Sequence, residues 1–264
     1  MTAILAVHGL THSYADRKVL DGVSFTVDPG EVVAIVGPSG AGKTTLFRCV
    51  TQLVAADGGR VELAGRDLSA LAGRERREAR RQIGLIFQQY NLVRRLSAAD
   101  NVLVGRLAAL PSWRVLLRRP GAAEHTLALD CLRRVDLAEH ADARADRLSG
   151  GQQQRVAIAR ALAQRARIVL ADEPVSSLDP AAAGRVLATL RSIAHQDGMA
   201  VVCSLHQVEM VAGFADRVLG LRDGRVFFDV TGRDFGTEHR DLAYTTGDAG
   251  LDPPTVRATI DQAG

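Results

Sequence analysis

The sequence predicts an α/β protein with a mostly parallel β-sheet, an antiparallel β flank and an inserted group of helices. Short apolar runs bounded by turn residues dominate the start of the chain, and similar runs alternate with helical patterns towards its end. This alternation favours a parallel sheet. With 264 residues, 47% of them apolar, the chain is long and apolar enough to bury a large core.

The start of the chain is predicted to consist mainly of strands. Apolar or alternating runs occupy residues 4–10, 19–27, 31–36, 60–63 and 83–87. The segments Asp28-Pro29-Gly30 and Asp57-Gly58-Gly59 separate some of these runs and have residue types that favour tight turns. We expect the first strands to form the antiparallel flank.

The middle of the chain, residues 89–165, has helical periodicity. Helices are predicted at residues 98–110, where Pro111 ends the pattern, at residues 122–135, and after Ser149. The remaining predicted elements are a strand at 167–171, a helix at 181–195, a strand at 199–204 and a strand pair across Asp223-Gly224.

These patterns predict one domain over residues 1–232. Its core lobe comprises residues 1–88 and 166–232, and residues 89–165 form a helical subdomain. Residues 233–264 are polar and contain several glycines and the pair Pro253-Pro254. We expect this segment to be a tail that is loosely ordered or ordered by a partner.

A phosphate-binding loop is predicted between the strand at 31–36 and the helical pattern that follows it. The motif G-x-x-x-x-G-K-[ST] is matched by Gly37, Pro38, Ser39, Gly40, Ala41, Gly42, Lys43 and Thr44, and Thr45 follows. Glycines let successive backbone N–H groups surround phosphate oxygens, and the helix N-terminus adds its positive dipole. We expect Lys43 to bridge the terminal phosphates of ATP, Thr44 to ligate Mg²⁺ and Thr45 to reach the α-phosphate.

An acidic pair, Asp172 and Glu173, ends the buried strand predicted at 167–171. Two adjacent carboxylates at such a position are costly unless a cation is present, and Mg²⁺ is the natural partner. The alternative is a helix-capping acidic pair before Pro174. The phosphate loop at Gly37 favours the metal interpretation.

A second anion-binding helix start is predicted at Ser149, Gly150, Gly151 and Gln152, within the sequence LSGGQQQR. A serine followed by glycines at the start of a helix presents backbone N–H groups and a hydroxyl to an anion. Because the loop at Gly37 already surrounds the phosphates of its own ATP, this second site needs another nucleotide.

Together these three segments resemble the ATP-binding subunits of ABC transporters, and the resemblance extends from about residue 4 to about residue 230. It implies a P-loop NTPase core of the RecA-like type and an ATPase activity. It also implies a head-to-tail dimer in which each Ser149 segment closes on the ATP held by the other copy, with Ser177, Leu178 and Asp179 at the interface.

The resemblance also implies roles for single residues. Asp172 would hold Mg²⁺, and Glu173 would act as the general base that polarises the attacking water. His206 matches the switch histidine that contacts the γ-phosphate. Gln88 matches the glutamine that reaches Mg²⁺ and reports the nucleotide state to a transmembrane partner, and the neighbouring Gln89 is a competing choice.

Tyr14, just before the strand at 19–27, matches the aromatic residue that stacks on adenine in this family. The alternative is an ordinary tyrosine packed in the core.

The cargo is suggested by three stretches that resemble the ATPase subunits of phosphonate importers, residues 105–117, 173–180 and 206–224. The first is the most specific because it lies in the variable helical region, although Trp113 and its neighbours would also suit a helical core. Phosphite, phosphate and other oxyanions stay open as cargo. The expected partners are separate transmembrane permease subunits and, indirectly, an extracytoplasmic substrate-binding protein.

Composition and sequence pattern argue against membrane-spanning, disulfide-rich, zinc-binding and nucleic-acid-binding proteins. The chain lacks an apolar run of the ~20 residues that span a bilayer and lacks a signal peptide, so we expect a peripheral protein on the cytoplasmic face of the membrane. Cys49, Cys131 and Cys203 have no CxxC spacing, which argues against a disulfide framework or a zinc site. The arginine-rich segment 74–81 contains glutamates and no aromatic residue, so it favours a solvated helix over nucleic-acid binding.

Two other classes of ABC ATPase share these nucleotide-binding segments. DNA-repair and ribosomal members are disfavoured, because a single helical insert separates Lys43 from Ser149 and the chain carries one cassette. An exporter or lipoprotein-releasing cassette shares all the ATPase residues and stays an alternative.

Overall fold

Two β-sheets and a group of helices make up this computed structural model, which describes residues 2–88, 90–110 and 121–244. The larger sheet has six strands in the order β10-β9-β3-β8-β7-β6. The strands are β3 (Val32–Val36), β6 (Ile83–Ile86), β7 (Ile168–Asp172), β8 (Ala200–Leu205), β9 (Arg217–Arg222) and β10 (Arg225–Thr231). All neighbouring pairs are parallel except the hairpin β9–β10, which confirms the predicted parallel sheet.

The central strands β3, β7 and β8 are buried along their whole length. This burial explains why their sequences are nearly continuous apolar runs, since both faces of a parallel sheet are covered. In such a sheet the carboxyl ends of the strands meet at one edge. The residues that follow β3, β7 and β8 therefore lie at this same edge.

The smaller sheet is antiparallel and has the order β2-β1-β4-β5, which confirms the predicted flank. Its strands are β1 (Leu5–Tyr14), β2 (Arg17–Val27), β4 (Gly58–Leu63) and β5 (Arg66–Asp67). β1 extends to Tyr14 and not only to residue 10, because register irregularities let it keep pairing with β2. A core of buried side chains from β1, β2, β3 and helix α1 (Lys43–Val50) joins the two sheets.

The helices are α1 (Lys43–Val50), α2 (Gly73–Arg80), α3 (Ala98–Val104), α4 (Ala122–Arg134), α5 (Gly150–Gln164), α6 (Pro180–Asp197) and α7 (Thr237–Tyr244). Helices α3, α4 and α5 pack on one another, and α5 also packs against β6 and α6. The helical group is thus anchored to the large sheet through α5. No helix in the described ranges has the length and apolar character needed to cross a bilayer.

One expectation for the helical segments needs adjustment, and another agrees with the structure. The helix predicted at 98–110 ends at Val104 and is followed by a short 3₁₀ turn, Leu107–Ala109, while Pro111 lies outside the described residues. Helix α2 has one buried residue, Ala79, and carries an Arg74–Glu78 ion pair, as a solvated helix would.

The expectation of a loosely ordered tail is wrong for its first part. Phe235 and Ala243 are buried, and α7 packs against β9. The Phe228 ring lies 5.3 Å from the His239 ring and 6.2 Å from the Phe235 ring. A few apolar side chains therefore fix an otherwise polar segment to the sheet, and residues 245–264 lie outside the described residues.

The three cysteines are buried as free thiols. Burial raises the pKa of the Cys49 and Cys131 thiols to about 11, and it raises the pKa of Cys203 as well. Thiols with a raised pKa are poor nucleophiles and metal ligands near neutral pH.

Candidate functional site

The predicted phosphate loop connects the carboxyl end of β3 to the start of α1. Gly37 has φ 151°, and a Cβ atom at this position would lie 2.0 Å from the Leu221 carbonyl oxygen of β9. Only glycine therefore fits against the neighbouring strand. Among the described residues no side chain caps the start of α1, so its first N–H groups are available to an anion.

The turn between β9 and β10 holds the loop from the other side. The Gly224 N–H donates to the Ala41 carbonyl oxygen at 3.3 Å, and the Gly224 carbonyl accepts from the Asp21 N–H of β2 at 2.8 Å. Gly224 has φ 74°, and a Cβ atom there would lie 2.5 Å from the Val19 carbonyl oxygen. The two hydrogen bonds of Gly224 therefore connect the phosphate loop, β2 and the β9–β10 turn.

Lys43 is the buried cation of the loop, with 5% of its surface exposed. Its Nζ donates to the carbonyl oxygens of Gly37 at 2.7 Å and Pro38 at 3.0 Å. Burial lowers the pKa of the Lys43 ammonium, and the nearby Glu173 and Asp172 carboxylates partly oppose that shift. A partly desolvated ammonium thus lies beside the acidic pair.

A cleft of about 580 Å³ brings together nine of the predicted nucleotide-binding and catalytic residues. It is lined by Tyr14, Arg17, Lys18, Val19, Ser39, Gly40, Gly42, Lys43, Thr44, Thr45, Glu173, His206, Asp223 and Gly224. Tyr14 is 44% exposed, so the alternative of an ordinary core tyrosine does not describe it. Its ring has an edge-to-face contact with His12, at 4.7 Å between centroids, which leaves part of the ring accessible to a planar ligand.

The acidic pair lies at the carboxyl end of β7. Asp172 is 9% exposed, and Glu173 adopts a left-handed backbone conformation with φ 49°. The Ser204 hydroxyl of β8 donates to Asp172 Oδ1 at 2.9 Å and accepts from the Glu173 N–H at 2.9 Å. His206 Nε2 contacts the Glu173 carboxylate. The carboxylates are therefore held in fixed directions by Ser204 and His206.

Ser204 is a site residue that the sequence pattern does not single out. The pattern predicts it only as the end of a strand, because the sequence does not reveal which strand lies beside β7. In the structure Ser204 is the register partner of Asp172 in the β7–β8 pair. A polar residue at the buried carboxyl end of a parallel strand is the signal that would have found it.

A second cleft of about 330 Å³ contains the three predicted magnesium ligands. It is lined by Thr44, Phe47, Arg48, Leu85, Phe87, Gln88, Asn91 and Asp172. The hydroxyl, amide and carboxylate oxygens of Thr44, Gln88 and Asp172 are hard donors, which suit Mg²⁺. Gln88 itself lies in a turn after β6, which ends at Ile86, and the competing Gln89 lies outside the described residues.

This donor set fits a magnesium ion that arrives with a nucleotide. Within the described residues there is no group of three or more His, Cys, Asp or Glu side chains that could hold a metal alone. Mg²⁺ commonly uses one or two carboxylates and completes its shell with substrate phosphates and water. One buried carboxylate next to a phosphate loop is consistent with that pattern.

The predicted second anion site at Ser149 lies apart from both clefts. Ser149 caps α5 by accepting from the Gln152 N–H at 3.3 Å, and the Gln152 side chain accepts from the Ser149 N–H at 2.9 Å. This capping box fixes the helix start. Of the described residues, none from 149 to 152 lines either cleft, so this helix start does not reach the chain's own phosphate loop.

Asp179 likewise lies outside both clefts and caps a helix. Its Oδ1 accepts from the Ala182 N–H at 2.9 Å at the start of α6. The capping bond gives the Ser177–Asp179 segment a defined direction.

Ser204→Ala is expected to lower both stability and activity. Loss of the Ser204 hydroxyl removes the hydrogen bond to the buried Asp172 Oδ1. Removing the partner of a buried polar atom costs about 1–3 kcal/mol of unfolding free energy. Denaturant unfolding and ATPase assays measure the two effects. Ser176→Ala is the matched control, because its hydroxyl is exposed and bonds the Glu173 carbonyl, at 3.2 Å, and not a buried carboxylate. Equal destabilisation by both variants would contradict the role given to Ser204.

Residues 20–176 match the family model described as ABC transporter. The chain is 48% identical over 240 residues to the hypophosphite import ATP-binding protein of Stutzerimonas stutzeri, covering 91% of this chain and 70% of that protein. It is 50% identical over 221 residues to a phosphonates import ATP-binding protein of Frankia casuarinae, covering 84% and 87%.

Among solved structures, the chain resembles the dimeric ATP-binding cassette MJ0796 in a post-hydrolysis state with ADP and phosphate. The TM-score is 0.73 and the sequence identity 33%, covering 88% of this chain and 100% of that one. The predicted fold class is confirmed by this similarity: a P-loop NTPase core with an antiparallel β subdomain and an inserted helical subdomain.

Proposed function

This chain belongs to the family of ABC transporter ATP-binding proteins, and from that premise we propose that it powers the import of a phosphonate or a related phosphorus oxyanion through separate membrane subunits. The observation that carries the proposal is the cleft that gathers Lys43, Thr44, Glu173 and His206 at the carboxyl edge of the sheet. This set contains a phosphate-binding cation, a metal-binding hydroxyl, a general base and a group that orients the base.

The chemistry follows from where each group lies. The loop N–H groups and Lys43 bind the phosphates, and the exposed face of Tyr14 stacks on adenine. Thr44, Gln88 and Asp172 would hold Mg²⁺, which neutralises charge on the transferring phosphoryl group. Glu173 accepts the proton of the attacking water, while His206 and Ser204 keep its carboxylate and backbone in place.

We further propose that two copies close around two ATP molecules. The helix start at Ser149 has the residues of an anion-binding site but lies apart from the chain's own clefts. A nucleotide held by a partner copy would supply the anion. The similar cassette MJ0796 forms a dimer with ADP and phosphate, which supports this arrangement. A dimer held by ATP would loosen after hydrolysis, because the contacts to the γ-phosphate are lost.

Permease subunits would dock beside Gln88, and the cassette would then sit at the cytoplasmic face of the membrane. Leu53 is 55% exposed, and Val93 is 49% exposed. Leu53 follows Arg48 by a few residues, and Val93 follows Asn91. Arg48 and Asn91 both line the second cleft, which also contains Gln88 and which we call the Gln88 cleft. Exposed apolar side chains close in the chain to residues of this cleft would suit a protein partner. An extracytoplasmic binding protein would deliver the cargo to that partner.

Phosphonate is the first candidate cargo, and hypophosphite is the second. Phosphonate import proteins from several bacteria are 44–50% identical to this chain, and the hypophosphite import protein is 48% identical. The cassette contacts no cargo, so these similar values leave the choice to a growth experiment. Of the stretch 105–117 that suggested phosphonates, residues 111–117 lie outside the described residues.

The test is growth of the source strain without this gene on methylphosphonate, on hypophosphite or on phosphate as the sole phosphorus source. We expect loss of growth on methylphosphonate only, restored by the wild-type gene and not by Glu173→Gln. Loss on hypophosphite only would establish the second candidate. Growth on both, in a strain with no other importer for these anions, would overturn the proposed cargo.

A further inference from the structure

A strained turn connects the Gln88 cleft to the helical region. Tyr90 and Asn91 are consecutive non-glycine residues with positive φ values of 57° and 47°. Asparagine tolerates this conformation, but for tyrosine it is unfavourable and needs support from its surroundings. We call Gln88, Tyr90 and Asn91 the Gln88 turn.

Arg160 of helix α5 supplies that support. Its guanidinium donates to the Asn91 carbonyl oxygen at 2.7 Å and to the Tyr90 carbonyl oxygen at 3.0 Å. Burial lowers the pKa of Arg160, whose guanidinium is held against these backbone carbonyls. The turn is thus bound to the same helix that starts at Gly150.

The Tyr90 side chain reaches two further segments. Its hydroxyl lies 3.0 Å from the Ser177 hydroxyl oxygen, within hydrogen-bond distance. A Cβ atom at Gly150 would lie 3.1 Å from the Tyr90 hydroxyl and 3.2 Å from Leu178 Cδ2. The Tyr90 hydroxyl therefore fills the space where the start of α5 meets the Ser177–Asp179 segment.

The two faces of the Gln88 turn have different neighbours. Gln88 and Asn91 line the cleft that contains Thr44 and Asp172. Tyr90, between them in the chain, contacts Ser177 and the helix start at Gly150, neither of which lines that cleft. A displacement of the turn by a nucleotide and its metal must therefore displace the Tyr90 hydroxyl, and with it two segments outside the cleft.

We propose that Tyr90 is a positioning residue whose hydroxyl, bonded to Ser177, couples the occupied nucleotide cleft of one copy to the surface that closes on the second copy. This inference rests on the proposed ATP-held dimer. The bond fixes the Ser177 segment relative to the glycine start of α5, so both are presented to the partner in one arrangement.

The test uses Tyr90→Phe and Ser177→Ala, singly and together, in a Glu173→Gln background that retains ATP. Both substitutions remove one hydroxyl and leave the ring or the backbone in place. Sedimentation measures the ATP concentration at which half of the protein is dimeric, and titration measures ADP affinity of the monomer. Parallel assays on the variants with Glu173 intact give kcat and KM.

We expect each single variant to need roughly 3–10-fold more ATP for dimerisation, the change expected from one lost hydrogen bond. The double variant should be no worse than either single one, because both remove the same bond. ADP affinity should stay unchanged and kcat should fall. Ser176→Ala, next to Ser177 in the chain, removes a hydroxyl that bonds the Glu173 carbonyl and is the control that should dimerise normally.

The outcomes separate the two proposals. Dimerisation equal to that of the parent in Tyr90→Phe, or additive losses in the double variant, would overturn the role of Tyr90 and leave the dimer standing. Failure of the parent Glu173→Gln protein to dimerise with ATP would overturn the dimer itself, and the coupling role with it.

Discussion

Glu173→Gln is expected to slow ATP hydrolysis by about 10²–10⁴-fold, the range attributed to a general base, while ATP binding persists. The amide keeps the shape of the side chain but cannot accept a proton from water. ATP therefore stays intact, and the closed dimer should accumulate. Single-turnover hydrolysis and size-exclusion chromatography with ATP measure the two effects.

Two controls sharpen this experiment. Glu209→Gln makes the same chemical change at an exposed position on the 3₁₀ turn that follows His206, and it should leave turnover unchanged. Ser149→Arg, added to Glu173→Gln, should prevent the dimer and preserve ATP binding by the monomer, because the bulky side chain blocks the partner's nucleotide. Full hydrolysis by Glu173→Gln would remove Glu173 from its assigned role.

Lys43→Ala is expected to weaken nucleotide binding by roughly 10²-fold, since charge-assisted hydrogen bonds contribute about 1.5–3 kcal/mol each. The ammonium donates to the Gly37 and Pro38 carbonyl oxygens of the loop, and these bonds would give way to bonds with phosphate oxygens. Calorimetric titration with ADP measures the loss without interference from hydrolysis. Unchanged affinity would contradict the assignment of the loop.

The lowered pKa of Lys43 adds a signature to the same titration. Burial lowers its pKa in the free protein, and bound phosphates would raise it. Between these two pKa values the amine is partly neutral before binding and charged afterwards, so ADP binding takes up protons in alkaline buffer. Below both values there is no uptake. Buffers of different ionisation enthalpy reveal the uptake, and Lys43→Arg, whose guanidinium stays charged, should abolish it.

Local sequence was sufficient for the phosphate loop and the acidic strand end. The loop residues are contiguous, and their function depends on backbone geometry that glycines at fixed spacing encode. The clefts that contain Lys43, Thr44, Gln88 and Asp172 follow from strand ends that the apolar runs had already located. The positions of these residues were therefore predictable, while their proposed roles stay predictions.

Features that depend on neighbours distant in the chain were not predictable. Ser204 acquires its role only because β8 lies beside β7, and the order of strands in a sheet is not written in any one segment. Helix α7 packs against β9, and Phe235 and Ala243 are buried. The surrounding residues are polar, so the local sequence does not predict this packing. Tyr90 meets Ser177 only after the helical group has packed.

The bond between Gly224 and Ala41 has a consequence for how this protein tolerates change. A two-residue hairpin turn at a sheet edge is ordinarily a place where insertions are accepted and sequences diverge. Here Asp223-Gly224 is a wall of the nucleotide cleft, although more than a hundred residues of chain separate it from the phosphate loop. We therefore expect few natural sequence changes and poorly tolerated engineered insertions at Asp223-Gly224. Both should be better tolerated at exposed positions away from the cleft, such as the exposed face of α2.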